Sequence, residues 1–130
     1  AKFGHGYAPF EAFFDAGIAV GLGSDSVASN NTCDLLEESR FASLAARNQP
    51  GSNRFISAKE MLETATLGGA KALGLDAIIG TLDIGKQADI AVVSLANIAQ
   101  QPINDVHTAL VFASNARDVV MTMVAGKQVF

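Results

Sequence analysis

A single carboxylate, Asp25, follows seven uncharged residues in the stretch "IAVGLGSDSVASNN" at positions 18–31, flanked by Ser24 and Ser26. An acid at the end of a buried strand has three uses open to it. It can cap the next helix, as Asn30 also could, by accepting from backbone N–H groups that lack a partner. It can serve as a general acid or base. It can also bind a hard or borderline metal ion. The remaining chemistry-bearing residues are sparse. His5 lies between glycines in "FGHGY", and His107 sits in "NDVHTALVF" ahead of an apolar piece expected to be a strand. A zinc site takes three or four ligands, and one Asp with two distant His do not assemble such a site on spacing alone. His5 therefore reads as a loop residue and His107 as a surface or capping residue. Cys33, the one cysteine, reads as a small buried or half-buried hydrophobe. "GLGSDS" fits G-x-G-x-x-S but lacks the third glycine of a dinucleotide loop, and Ser24 has no glycine two positions on, as a nucleophile elbow requires.

The elements that must position Asp25 are legible on either side of it. "FEAFFDAG" places Phe10, Phe13 and Phe14 on one helical face, with Gly17 as the stop. "IAVGLG" is short, apolar and without alternation, which predicts a strand covered on both faces, as in a parallel sheet. A helix feeding such a strand is half of a β/α repeat, and Asp25 then falls at the carboxyl end where α/β folds carry their chemistry. "DLLEESRFASLAARNQ" predicts a substantially buried helix opened by Asp34 and Glu37 at capping-box spacing. Ser57 and Glu60 repeat that spacing ahead of a helix whose face carries Ala58, Met61, Leu62, Ala65, Gly69, Ala72 and Leu73. Gly68 and Gly69 predict a break into two shorter helices, and Gly74 the terminus. After residue 77 the character changes: "IAVVSL" predicts a strand, "DVVMTMVAGKQVF" a hairpin, and the residues between them mostly loop.

The totals exclude several functions. No apolar run approaches the ~18 residues needed to span a bilayer, so a membrane protein is not expected. A net charge of −4 without any basic run argues against nucleic acid as a partner. One cysteine in 130 residues makes no internal disulfide, which suits a reducing, cytoplasmic setting. The first ten residues carry neither a secretory signal nor an initiating Met, from which we expect a chain that begins partway through a larger protein.

From "KFGHGYAP" onward the sequence resembles the carboxyl-terminal part of the amidohydrolase superfamily. The similarity is to the branch of S-adenosylhomocysteine/methylthioadenosine deaminases, guanine and cytosine deaminase-like proteins and triazine chlorohydrolases. "GYAPFEAFFDAGIAVGLGSDSVASNN" resembles the family's segment through the eighth barrel strand, and "DLLEESRFASL" the helix after it. "ISAKEMLETATLGGAKALGL" resembles the next helical pair, "IGTLDIGKQADIAVVSL" the G-x-x-x-x-G-K-x-A-D signature, and "VVMTMVAGKQVF" the closing hairpin. The implied fold class is α/β: the last elements of a metal-dependent (β/α)8 barrel in residues 1–77, and strands of a small composite β-sandwich in residues 78–130. The implied activity is hydrolysis of a C–N bond in an amino-substituted heterocycle or nucleobase-like small molecule.

In that family one divalent metal, zinc or iron, holds a water whose pKa falls to about 7. Asp25 matches the aspartate that contacts the metal and accepts the water's proton. The family's other ligands are a His-x-His pair after the first strand and histidines after the fifth and sixth, all upstream of this stretch. His5 matches none of them. The isolated 130 residues are therefore expected to be inactive, to hold little or no metal, and to expose apolar flanks where the missing N-terminal part of the fold would pack. The alternative is a non-catalytic truncated module that folds by association with a complementary fragment or as a homo-oligomer.

Overall fold

The computed structural model describes residues 4–130, so Ala1, together with Lys2 and Phe3 at the head of the quoted "KFGHGYAP", lies outside the described residues. Helix α1 (Phe10–Asp15) buries Phe10 and packs Phe14 against the core, the two rings 6.1 Å apart. It stops where Gly17 and Ile18 donate back to the Phe14 and Phe13 carbonyls, as the glycine there predicted. Helix α2 (Val27–Asn30) is a single turn, and α3 (Leu35–Arg47) runs for 13 residues. Asp34 caps α3 by accepting from the Leu36 and Glu37 amides at 3.0 and 3.1 Å, but the Glu37 carboxylate does not return to the Asp34 amide, so the expected capping box is only half formed. Helix α4 (Ala58–Glu63) opens on the complete Ser57–Glu60 capping box. The ordinary carboxyl value of Glu60 is lowered, first by the backbone N–H of Ser57, and Arg54 adds to the effect.

Four expectations are corrected. Residues 18–23 form no strand among the described residues: burial alternates, with Val20 and Leu22 half-buried on the core while Ala19 and Gly21 are exposed. A strand is defined by ladder hydrogen bonds to neighbours, and none pairs with this segment here. The expected break at Gly68 and Gly69 is instead a π turn, Thr64–Gly68, after which helical dihedrals continue into α5 (Gly69–Ala72). In that stretch the Thr64 and Thr66 hydroxyls each donate at 2.8 Å to the carbonyl four residues back, a contact that perturbs helix geometry. Residues 106–113, expected to be loop and strand, are helical: α6 (Val106–Thr108) is capped by Asp105 and runs on as a second π turn, Ala109–Ala113. Finally α3 buries Ser39, Ser43 and Ala46 rather than its large residues, leaving Phe41 and Leu44 exposed.

The core joins Phe10, Ala46, Ile56, Ala58, Met61 and Val111, so the helix of residues 106–113 closes over α3 and α4. Three strands, β1 (Ile90–Val93), β2 (Val119–Val124) and β3 (Lys127–Gln128), form an antiparallel sheet in that order, with a bulge between Val92 and Val93. The hairpin turn puts both Ala125 and Gly126 at positive φ, the geometry of a type I′ turn. Lys86 of the "GKQAD" signature donates to the Asp76 carbonyl, tying the loop before β1 to the chain just past α5. No helix among the described residues is long and apolar enough to cross a membrane.

Residues 18–23 are set against the π turn by close approach of two backbones. A Cβ on Gly68 would stand 2.3 Å from the Val20 carbonyl oxygen, and one on Gly21 would stand 2.7 Å from the Gly69 Cα. A Cβ on Gly69 itself would meet nothing nearer than the Thr64 oxygen at 3.9 Å. The neighbouring glycines thus predict opposite outcomes in urea unfolding. Gly68→Ala should lower stability by about 1–3 kcal/mol through overpacking, whereas Gly69→Ala should raise it by up to about 1 kcal/mol through helix propensity. Equal effects would mean that the two backbones do not touch as described.

Candidate functional site

The chain end of residues 18–23 delivers Ser24 and Asp25 to the surface. Asp25 has φ 58°, a left-handed conformation that costs a non-glycine residue about 1–2 kcal/mol. Its Oδ1 accepts from the Ser26 amide at 2.7 Å, and the carboxylate is exposed. The helix-capping use considered for Asp25 falls to its neighbour: Ser26 is the N-cap of α2, its hydroxyl accepting from the Ser29 amide at 3.2 Å. Asn30, considered as an acceptor, is a donor. Its Nδ2 donates to the Ser24 carbonyl at 2.9 Å and to Oε1 of Glu38 on α3. The Ser24 hydroxyl donates to the Asp25 carbonyl at 3.3 Å. Asn31 then closes α2 in a second left-handed conformation, φ 71°. Asp25 therefore leads a tight loop whose hydrogen bonds hold the backbone and leave the acid outward.

A cation at this loop would need anionic or imidazole donors, and the exposed Asp25 carboxylate fits as one such donor. Among the described residues no three His, Cys, Asp or Glu side chains come together to hold a metal ion. His5 is exposed in the irregular stretch before α1, and Cys33, expected to be buried or half-buried, is instead exposed in the link between α2 and α3.

His107 lies elsewhere, within α6 and beside an open cleft of about 590 Å³ that Arg47, Phe55, Asp105 and Phe112 also line. The Arg47 guanidinium is committed within that cleft. It stacks on the Phe55 and Phe112 rings at 4.0 and 4.8 Å and donates twice to the Ile56 carbonyl. Asp105 accepts from the Thr108 amide at 2.7 Å, with His107 Nδ1 3.3 Å from its other oxygen. The Thr108 hydroxyl and amide, with His107 beside them, hold the Asp105 carboxyl at about 2, below its ordinary 3.8. A carboxyl lowered on folding stabilises the fold above its unfolded value, and that contribution fades as pH drops from 3.8 towards about 2.

What sequence reasoning missed here is Glu38. It sits eight residues beyond Asn30, across a turn whose path no local pattern encodes; only the acids opening the helix were visible.

Comparison with known proteins agrees in one direction. The model of the amidohydrolase family matches residues 1–129. The 5-methylthioadenosine/S-adenosylhomocysteine deaminase of Moorella thermoacetica is 40% identical over 126 residues, which is 97% of this chain and 29% of that protein. Among solved structures, an adenosine deaminase from Xanthomonas campestris with bound zinc superposes with a TM-score of 0.89 at 36% identity, covering 95% of this chain and 28% of its own. Atrazine chlorohydrolase from Arthrobacter aurescens, complexed with zinc, gives 0.85 at 33% identity, covering 96% and 28%. The chain thus spans about 29% of the length of the curated relatives it matches.

The cap at Asp105 predicts a titration. The Thr108 amide proton resonance should shift with a midpoint near 2, and Asp105→Ala should remove that transition. A midpoint near 3.8 would mean that the cap does not form.

Proposed function

The chain belongs to the amidohydrolase family, and from that premise we propose that the whole protein is a metal-dependent aminohydrolase of an amino-substituted, purine-like or triazine-like heterocycle. Residues 1–77 are its last barrel elements and residues 78–130 its sandwich strands, with the helix of residues 106–113 reaching back onto the barrel side. Asp25 is both a metal ligand and the proton acceptor. The observation that carries this is the Asp25 carboxylate itself: exposed, held at a left-handed residue at the end of a backbone wedged against the π turn, and not used as a helix cap. Such strain in a non-glycine residue is found where surrounding contacts over-determine it, and functional sites are where it collects.

Asp25 would hold the ion through a carboxylate oxygen, with the remaining donors coming from other parts of the whole protein. When bound, the metal supplies an acidified water, its pKa brought to about 7. Deamination by water forms a C–O bond at the ring carbon, breaks the C–N bond and releases ammonia. Asp25 serves both ends of that exchange. It takes the proton that the water must lose onto a carboxylate oxygen, then gives it to the departing nitrogen, which leaves as neutral ammonia. A carboxylate suits the role because it stays anionic beside a cation yet can accept a proton when charge develops. A hydroxyl or amide in its place could do neither. The relatives named as deaminases of adenosine derivatives support the substrate class, and the two zinc-containing neighbours support the metal.

The test is substitution in the full-length protein. Asp25→Asn should cut ammonia release from aminopurine and aminotriazine substrates by roughly 10²–10⁴-fold and lower the bound metal measured by elemental analysis. His107→Ala should change neither. Comparable losses from both variants would move the site from the loop to the cleft.

A further inference from the structure

Resting on the reading of Asp25 as proton acceptor, we propose that Asn30 is a positioning residue: anchored by Glu38, it pins the Ser24–Asp25 peptide and thereby sets the direction of the Asp25 carboxylate. Peptide units are planar, so the torsion that matters at Asp25 lies between two rigid plates. The plate before it carries the Ser24 carbonyl oxygen, and Asn30 Nδ2 holds that oxygen at 2.9 Å. The plate after it carries the Asp25 carbonyl and the Ser26 amide. The first accepts from the Ser24 hydroxyl, and the second donates to Asp25 Oδ1. With both plates held, the unfavourable φ of 58° becomes the one value the loop allows.

The side-chain amide is suited to the task in a way that sequence spacing hides. Nδ2 has two hydrogens, and both partners, a carbonyl and a carboxylate, only accept. That fixes which way the amide faces. The helix that carries Glu38 is itself held at its start. Glu38 stands on α3, whose N-terminus Asp34 caps with one oxygen while its other oxygen accepts from the Ala116 amide at 2.7 Å. The brace therefore runs from the last turn before β2, through α3, to the peptide that carries the acid. Both Asn30 and Glu38 are half-buried, so water competes weakly for these bonds.

Kinetics of the full-length enzyme test this, with Asp25→Asn as the reference. If Asp25→Asn stays active, the reading of Asp25 is wrong and the brace has no acid to aim. If it is inactive, Asn30→Ala should lower kcat on the order of 10²-fold, as displacing a reacting group by about an ångström does. KM should stay within about threefold, because substrate binding is untouched. Glu38→Ala, which keeps the bond to Ser24 but removes its anchor, should lose about tenfold in kcat, and Glu38→Gln, which keeps an acceptor oxygen, should recover most of that. Wild-type kcat in Asn30→Ala overturns the brace and leaves Asp25 standing. So does a joint loss of kcat, KM and melting temperature that Glu38→Gln does not relieve. Where Asn30→Ala fails to fold, the Glu38 pair decides: equal kcat in Glu38→Ala and Glu38→Gln overturns the proposal.

Discussion

Two backbones in contact, with no side chain between them, set the geometry from which everything at Asp25 follows. Residues 18–23 have no ladder partner among the described residues, so nothing of the usual kind fixes where this segment lies. What fixes it is the space left by Gly21 and Gly68, into which the chain sinks until the Val20 carbonyl meets Gly68 and Gly21 meets the Gly69 Cα. Dispersion between closely packed atoms is small per contact and falls quickly with distance. Backbones that approach this closely collect many such contacts and tolerate little displacement. Val20 and Leu22, half-buried on the core, add the apolar side of the same anchoring.

From that anchor a short chain of dependence leads to the acid. The π turn ends at Gly68, against which the segment lies, and the Thr64 and Thr66 hydroxyls bond back within that stretch. The segment so located ends at Ser24, and the loop after it folds back through α2 to α3. Two left-handed residues, Asp25 and Asn31, bracket that one-turn helix. The turn is too short to be stable alone, since helix nucleation is unfavourable and one turn gains few bonds. It holds because Ser26 caps it and Asn30 ties its end to both sides. The direction of the acid is thus a property of packing on one side and hydrogen bonding on the other.

Local chemistry was readable in the sequence, and long-range chemistry was not. Capping at Asp34 and at Ser57–Glu60, the helix end at Gly74 and the hairpin at Ala125 and Gly126 all appear as expected, because each is decided by residues within about four positions. Asp25 itself was visible as an acid at the end of an apolar run. The reading of "ALVF" as a strand failed because apolar pieces this short suit either state, and burial of Ala109 and Val111 decided for the helix. The two glycines predict a helix break, whereas the use of Gly68 is proximity and Gly69 leaves room for a Cβ. A propensity scale registers the entropy of glycine but not the atom that would collide with its Cβ. The link between Asn30 and Glu38 depends on how α2 meets α3, which no window of sequence contains.

Burial inverts between two parts of the chain, and the inversion bears on what surrounds the site. Along α3 the enclosed residues are small, Ser39, Ser43 and Ala46, while Phe41 and Leu44 stand in solvent. Small inward residues let helices approach closely; large outward ones gain nothing where they are. Beyond residue 80 the imbalance grows: Leu82, Ile84 and Ile98 are more than four-fifths exposed. Each such side chain forgoes about 1.5–3 kcal/mol that enclosure would supply. A three-stranded sheet whose first two strands leave Val92, Val120 and Val124 exposed also lies near the lower limit for a sheet that is stable by itself. The favourable arrangement for this chain is therefore one in which further protein covers these residues. Apolar surface of this extent favours enclosure, and a single carboxylate needs companions before it can hold a cation firmly.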